Sequence, residues 1–475
     1  MSPPAGYAGL VKQSEVLAGL SYALDLTEGQ RPGHCVRSCR IGMRLADVLQ
    51  LPSAQRSALF YALLMKDLGC SSNSARFAAL FGHHDHDIKV DIKNIDWTRA
   101  LEAFKFVMRN VAPGQYALRR TWKLLALMAR GPDSAREMVR TRCERGADIA
   151  TLLGLADDSV QAIRALDEHW DGRGQPYCKR GEEIPLLARI LNLAQTFEVF
   201  FTTQGVDAAY DMAAARRGTW FDPGTVDALF AISASDPFWY AVAQTSNLAS
   251  LARLEPREAI ITVDEDRLDT FAGAFARVID AKSPWTFSHS NGVADIAVAL
   301  ARHLGFTGAQ IRVLRRSAWL HDLGKLGISN LILDKPGKLT DAEYRAMQRH
   351  TEHTADILAR VPCFAAFSAE AAGHHERIDG RGYHAGLAGP QITMSTRILA
   401  VADVCDALRA SRPYRAGLPT ERVLDIIGRE AGISLDADVV TALRAVVNDA
   451  ALPSPVEVPA ARFDDALRED YRQAA

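Results

Sequence analysis

Apolar residues recur every three to four positions along most of this chain. DIAVALARHL, VADVCDALRA and YALLMKDL each gather Ala, Val, Ile and Leu on one helical face and charged residues on the other, the pattern of helices that bury one side against a core. No stretch alternates apolar and polar residues with period two for long enough to argue for a sheet. The pattern predicts a nearly all-α fold.

The helical pattern also occurs twice. GHCVRSCRIGMRLADVLQL, from Gly33, is similar to SHSNGVADIAVALARHLGF, from Ser288, with His34 opposite His289 at an offset of 255 residues. FYALLMKDLGC and SAWLHDLGK keep that offset, with Asp67 opposite Asp322. Farther on the offset is 208: CERGADIA pairs with TEHTADIL, WDGRG with IDGRG, and LARILNLAQTFEVF with STRILAVADVCDAL. The first copy therefore carries 47 additional residues between about 75 and 139, a tract that includes GHHDHD. This predicts two tandem helical domains, 1–245 with an insertion near 75–139 and 268–450, joined by a linker at 246–267 and followed by a tail at 451–475. A length of 475 residues fits that division.

Composition narrows the function. Lys and Arg number 55 against 57 Asp and Glu, a net charge of −2, which gives no electrostatic footprint for a nucleic-acid polymer. No unbroken apolar run approaches about 20 residues, so no membrane span is expected. The opening MSPPAGYAGL lacks the basic and apolar regions of a signal peptide. Seven cysteines without a CxxC pair read as reduced thiols, and the expected location is cytoplasmic.

Thirteen histidines are present, eight of them after residue 250. His289 opens one predicted helix, His321 and Asp322 stand together in LHDLGK, His350 follows in MQRHTEHTADIL, His374 and His375 precede ERIDGRGYH, and Asp403 lies in RILAVADVCDAL. A lone histidine on an amphipathic helix is ordinarily a packed or capped residue, and His303 and His353 are read that way. Seven imidazoles and carboxylates in one domain are different, because that donor set suits iron, manganese, cobalt, nickel or zinc. With one shared carboxylate it suffices for two ions, and two ions about 3.5–4 Å apart can activate water against a phosphoester. Lys325, three residues after Asp322, is placed to hold a phosphate beside them.

HDLGKLGISNLILDKPGKLT, His350, HHERIDGRGY and RILAVADVCDAL with SRPYR resemble the HD-GYP family, a branch of the HD superfamily of metal-dependent phosphohydrolases, over roughly 268–447. The resemblance implies an all-α domain that hydrolyses cyclic di-GMP. It implies that His289, His321, Asp322 and Asp403 hold one divalent metal and that His350, His374 and His375 hold the other, with Asp322 bridging and iron or manganese foremost. Lys325 would bind the scissile phosphate, and Tyr383, Arg412 and Arg415 would contact the substrate. Family members with three metals carry a glutamate four residues before the first histidine; Trp285 stands there, so two metals are expected. The GYP triplet reads Gly382-Tyr383-His384, and His384 is read as a surface loop residue.

The first copy keeps His34 and Asp67 but has Lys66, Cys70, Arg142, Leu166, Asp167 and Gln195 where the second has His321, Lys325, His350, His374, His375 and Asp403. It is expected to fold without a catalytic metal and to act as a structural, dimerising or regulatory partner, with a homodimer or a signalling protein as possible company. GHHDHD is expected to be a solvated loop. Two alternatives stand beside cyclic di-GMP hydrolysis: an HD phosphohydrolase of another nucleotide, and a non-catalytic signalling receptor or scaffold.

Overall fold

The computed structural model describes residues 11–112, 117–244, 260–286, 288–410 and 417–449, with isolated positions at 251, 254–256 and 452. The chain divides into two compact units, Met1–Asp264 and Glu265–Ala475. Both are helical, as the periodicity predicts. The strands among the described residues are Val11–Lys12 and Thr262–Val263, which pair antiparallel with Val11 opposite Val263, both within the first unit.

In the second unit the apolar stripe of DIAVALARHL decides the core. The helix His289–His303 turns Val293, Ile296, Ala297 and Leu300 inward, each under 1% exposed. They meet Ile398, Val401, Ala402 and Cys405 of the helix Met394–Arg409 and Val439, Val440 and Leu443 of the helix Ala437–Asn448. Each Val, Ile or Leu side chain among them gains about 1.5–3 kcal/mol from burial. Helix starts follow local chemistry. At Thr340 the hydroxyl accepts the Glu343 N–H while the Glu343 carboxylate accepts the Thr340 N–H, so KLTDAE opens the helix Asp341–Ala359 with a reciprocal cap.

That helix packs on the 3-10 turn Leu323–Gly327, just beyond His321 and Asp322. The approach is very close: a Cβ built on Gly324 would lie 1.9 Å from the His350 carbonyl oxygen and 2.7 Å from the Thr354 nitrogen. Only glycine fits there. The Gly324 N–H donates to Thr354 Oγ1, and that hydroxyl donates to the His321 carbonyl, which ties the two segments together.

The first unit repeats these details at the aligned positions. A Cβ on Gly69 would lie 1.9 Å from the Arg142 carbonyl oxygen and 2.8 Å from the Gly146 nitrogen. Arg189 donates to the Ile184 carbonyl and to Asp222, as Arg397 donates to the Ile392 carbonyl and to Asp436. Glu168 accepts the N–H groups of Tyr177 and Lys179, and Glu376 accepts those of Ala385, Gly386 and Leu387.

Within the tract absent from the second copy lie the helices Ser74–Phe81, Asp85–Lys93 and Ala100–Asn110, with a small core around Phe81, Ile88, Phe106 and Val111. GHHDHD is the loop expected from its polarity only over 82–84, where His84 is exposed; from Asp85 it is helix. Gly82, at φ +60°, ends one helix and Asp85 starts the next with its side chain buried. The periodicity of Ile88 and Ile92, with Asp85 and Asp87 at a helix N-terminus, outweighs the polar composition.

Candidate metal centre and active site

Five elements of the second unit converge on one buried point. His289 comes from the first turn of its helix. His321 and Asp322 follow the helix Gly308–Leu320, and His350 comes from the middle of Asp341–Ala359. His374 and His375 form a 3-10 turn, and Asp403 lies on Met394–Arg409. The structure brings all seven sequence-predicted residues together. His321 and Asp322 are 1% exposed or less, while His375 is partly open.

Asp322 is the centre of the arrangement. Its Oδ2 lies 3.7 Å from His289 Nε2 and 3.3 Å from His321 Nε2, and its Oδ1 lies 3.6 Å from His350 Nε2 and 3.7 Å from His374 Nε2. Asp403 Oδ1 joins the first group, 3.2 Å from His289 Nε2 and 3.8 Å from His321 Nε2. His375 joins the second: His350, His374 and His375 offer donor atoms within 4.8 Å of one another. Ligands bound at about 2.0–2.2 Å to one ion stand roughly 3–3.5 Å apart, so these separations suit metal coordination, and His321, His374 and Asp403 also offer donor atoms within 4.8 Å across the two groups.

The imidazoles are oriented for that use. The Nδ1–H of His321 donates to the Ala318 carbonyl at 2.7 Å, that of His350 to Met347 at 2.6 Å and that of His374 to Ala371 at 2.7 Å. Each is the carbonyl three residues back on its own element. Nδ1 therefore carries the proton, and Nε2 turns a lone pair toward the centre. His350 Nε2 and His374 Nε2 face each other at 3.3 Å, and His321 Nε2 and Asp322 Oδ1 are buried without a hydrogen-bond partner. Lone pairs aimed at one another in a dry site are costly unless a cation lies between them. The residues present thus fit divalent metal.

The electrostatics agree. Burial holds His350 down to about 3 and pushes His374 and His375 below the usual imidazole range, which keeps them as neutral donors. Burial alone would raise the Asp322 and Asp403 carboxyls. For Asp322 it is outweighed by His321 and Lys325, and for Asp403 by His289, so both stay well below the usual carboxylate range. Burial opposes a proton on His289 too, yet Asp403 and Asp406 lift it to about 10, a field that favours any cation.

Lys325 is salt-bridged to Asp322 with its side chain 19% exposed, so its ammonium reaches the centre while staying open to solvent. Tyr383 lies over His375 with ring centroids 4.8 Å apart. His384 is exposed, at φ +105°, and belongs to none of the donor groups. Arg412 and Arg415 lie outside the described residues. Glu376 and Thr354, which hold the DGRG loop and the His321 corner, were not singled out in the sequence, although Glu376 directly follows the histidine pair.

The first unit shows the same point without those donors. Lys66 Nζ stands 2.9 Å from His34 Nε2 and is ion-paired with Asp67, all three side chains fully buried. Burial alone would lower Lys66 and raise Asp67, but each outweighs that for the other, so the ammonium and the carboxylate both stay charged. From the additional tract, Lys93 pairs with Glu28 at 2.6 Å beside Asp67.

A family model described as HD domain matches residues 125–224 and 273–439. The 3'3'-cGAMP-specific phosphodiesterase 3 of Vibrio cholerae is 40% identical over 435 residues, covering 92% of this chain and 94% of that protein. A cyclic di-GMP phosphodiesterase of Pseudomonas aeruginosa is 41% identical over 134 residues, 28% of this chain and 32% of that protein. Among solved structures, a cyclic GMP-AMP specific phosphodiesterase of V. cholerae matches with a TM-score of 0.64 at 37% identity, over 93% of this chain and 98% of that one.

Proposed function

This chain belongs to the HD domain family as an HD-GYP-type phosphohydrolase, and from that premise we propose that it hydrolyses a phosphodiester of a cyclic dinucleotide, 3'3'-cGAMP ahead of cyclic di-GMP. The observation that carries the chemistry is Asp322, whose two oxygens face two pairs of histidine donors. His289, His321 and Asp403 would hold one divalent ion and His350, His374 and His375 the other, with iron or manganese suited to this nitrogen and oxygen set. Such a pair supplies Lewis acidity and a water of lowered pKa.

The chain's own groups do the rest. The buried imidazole ring exclude bulk water from the centre. Lys325, paired with Asp322 and open to solvent, holds a non-bridging phosphate oxygen and offsets its charge. Glu376 fixes the loop that carries Tyr383 over His375, so the entrance keeps its shape before substrate arrives. Arg412 and Arg415 are assigned to the second phosphate or a purine edge, where a guanidinium forms paired hydrogen bonds.

The order of substrates departs from the expectation of cyclic di-GMP. Support comes from extent: a relative named for 3'3'-cGAMP matches nearly the whole chain, both units included, whereas relatives named for cyclic di-GMP match 28–44% of it. The first unit is read as a partner that binds no catalytic metal. Seven free cysteines support a reducing, cytoplasmic setting.

The test is hydrolysis of 3'3'-cGAMP and cyclic di-GMP by metal-loaded protein under matched conditions. Asp322→Ala should lower kcat/KM about a thousandfold or more, about 4 kcal/mol of transition-state stabilisation. Faster turnover of cyclic di-GMP would reverse the substrate order, and cleavage of neither would refute the function.

A further inference from the structure

His289 differs from the other buried ligands in how its ring is held. It is the first residue of its helix, and the carbonyl three positions back, on Thr286, accepts the His289 backbone N–H rather than its ring. The ring's Nδ1–H donates instead to Asp406 Oδ2 at 2.7 Å. Asp406 stands one turn beyond Asp403 on the helix Met394–Arg409, so a single helix faces both nitrogens of the imidazole: Asp403 at Nε2 and Asp406 at Nδ1.

The backbone is shaped to admit that carboxylate. A Cβ on Gly292 would lie 2.1 Å from Asp406 Oδ1, so the first turn of the His289 helix accepts Asp406 only because position 292 has no side chain. The first unit carries the same device in another form. His34 Nδ1 is bonded to the Glu198 carboxylate, and Glu198 stands opposite Asp406 at the repeat offset of 208. There His34 Nε2 faces a cation as well, the Lys66 ammonium. Arg37 stands opposite Gly292 and pairs with Glu198 at 2.6 Å. Among the described residues no lysine or arginine pairs with Asp406, and its ion pair is with the His289 imidazole.

We propose that Asp406 is a positioning residue that locks the tautomer and orientation of His289 and strengthens its Nε2 as a metal donor, and that Gly292 is the vacancy that lets it do so. This rests on the metal centre proposed above. A carboxylate behind a ligating histidine fixes the ring and raises its basicity, and its loss commonly costs 10–100-fold in affinity.

The test uses the full chain, stripped of metal and titrated with Mn²⁺, with stoichiometry, affinity and the melting temperature of the metal-free protein as readouts. Wild-type protein should bind two ions. Asp406→Ala should weaken one of them about 10–100-fold and leave the other unchanged, with the metal-free melting temperature close to wild type. Asp406→Asn keeps an acceptor for the Nδ1–H without the charge and should fall between the two; it serves as the probe if the alanine variant does not fold. Gly292→Ala should reproduce the weakened site with the carboxylate still present. Wild-type affinity at both sites in Asp406→Ala would overturn the proposal, as would a lowered melting temperature with unchanged affinity, which marks a packing role. Failure of wild-type protein to take up any divalent ion would overturn the metal reading itself, and this one with it.

Discussion

A buried cation can be an ion or a side chain, and the two copies of one corner contain both alternatives. In the first unit the Lys66 ammonium sits between His34 and Asp67, where the second unit turns imidazole lone pairs and a carboxylate inward. Removing one partner of a buried pair strands the other charge, which typically costs about 3–5 kcal/mol, whereas replacing both by apolar residues of similar volume is often close to neutral. Lys66→Met should therefore destabilise the first unit by about that amount, and Lys66→Met with Asp67→Leu should recover most of the loss. Hydrogen exchange in peptides from the helix His34–Val48 measures this directly. Equal destabilisation in the single and double variants would show that the pair is not the source. At this scale the sequence was informative wherever chemistry is carried by residue type: seven imidazoles and carboxylates in order are legible without a structure. Asp406 was not, although it stands three residues after Asp403, because its role depends on which side of the His289 ring it meets.

Helices of this fold are positioned by contacts that no hydropathy pattern displays. The periodicity located the core stripe of His289–His303, but the join between the His321 corner and the His350 helix depends on an absent side chain at Gly324. Gly69 repeats that join in a copy that has lost His321 and His350, so the approach belongs to the fold and not to the chemistry. The same reasoning accounts for GHHDHD: a polar hexapeptide reads as a loop throughout, but the apolar spacing of Ile88 and Ile92 and the burial of Asp85 place its second half at the start of a helix. Two substitutions separate packing from catalysis. Gly324→Ala must push the His350 helix off the corner, at a cost of roughly 1–3 kcal/mol. It should also weaken metal uptake, because His321, Asp322 and His350 separate together. Gly69→Ala should cost the first unit a similar amount and leave metal uptake and turnover unchanged. Melting curves with metal titration of each variant check both halves, and full metal affinity in Gly324→Ala would contradict the coupling.

For the whole molecule, duplication followed by divergence of the donors gives two units that respond differently to the same ion. A ligand that binds only the folded state stabilises it by RT ln(1 + [L]/Kd), about 2.7 kcal/mol at a hundredfold excess over Kd. The donors proposed to receive Mn²⁺ lie within Glu265–Ala475; in the first unit Glu28, Asp67 and Cys70 offer donor atoms within 4.8 Å of one another. There Lys66 is ion-paired with Asp67 and stands beside His34, and Lys93 pairs with Glu28 from the additional tract, so both carboxylates already face an ammonium. A divalent ion would have to displace an ammonium that is ion-paired and fully buried. Adding Mn²⁺ to the metal-stripped chain should therefore slow hydrogen exchange in the segments that carry the donors, 289–303, 321–325, 341–359, 373–376 and 394–409. The equivalent segments of the first unit, 34–48, 66–70 and 186–204, should exchange as before. Slowing in the first unit of the Asp322→Ala variant would locate a second metal site there and refute the reading of Lys66 as its resident cation. Slowing that appears in both units of the wild type and disappears from both in Asp322→Ala would instead mean that the first unit senses occupancy of the second, the behaviour of a regulatory partner.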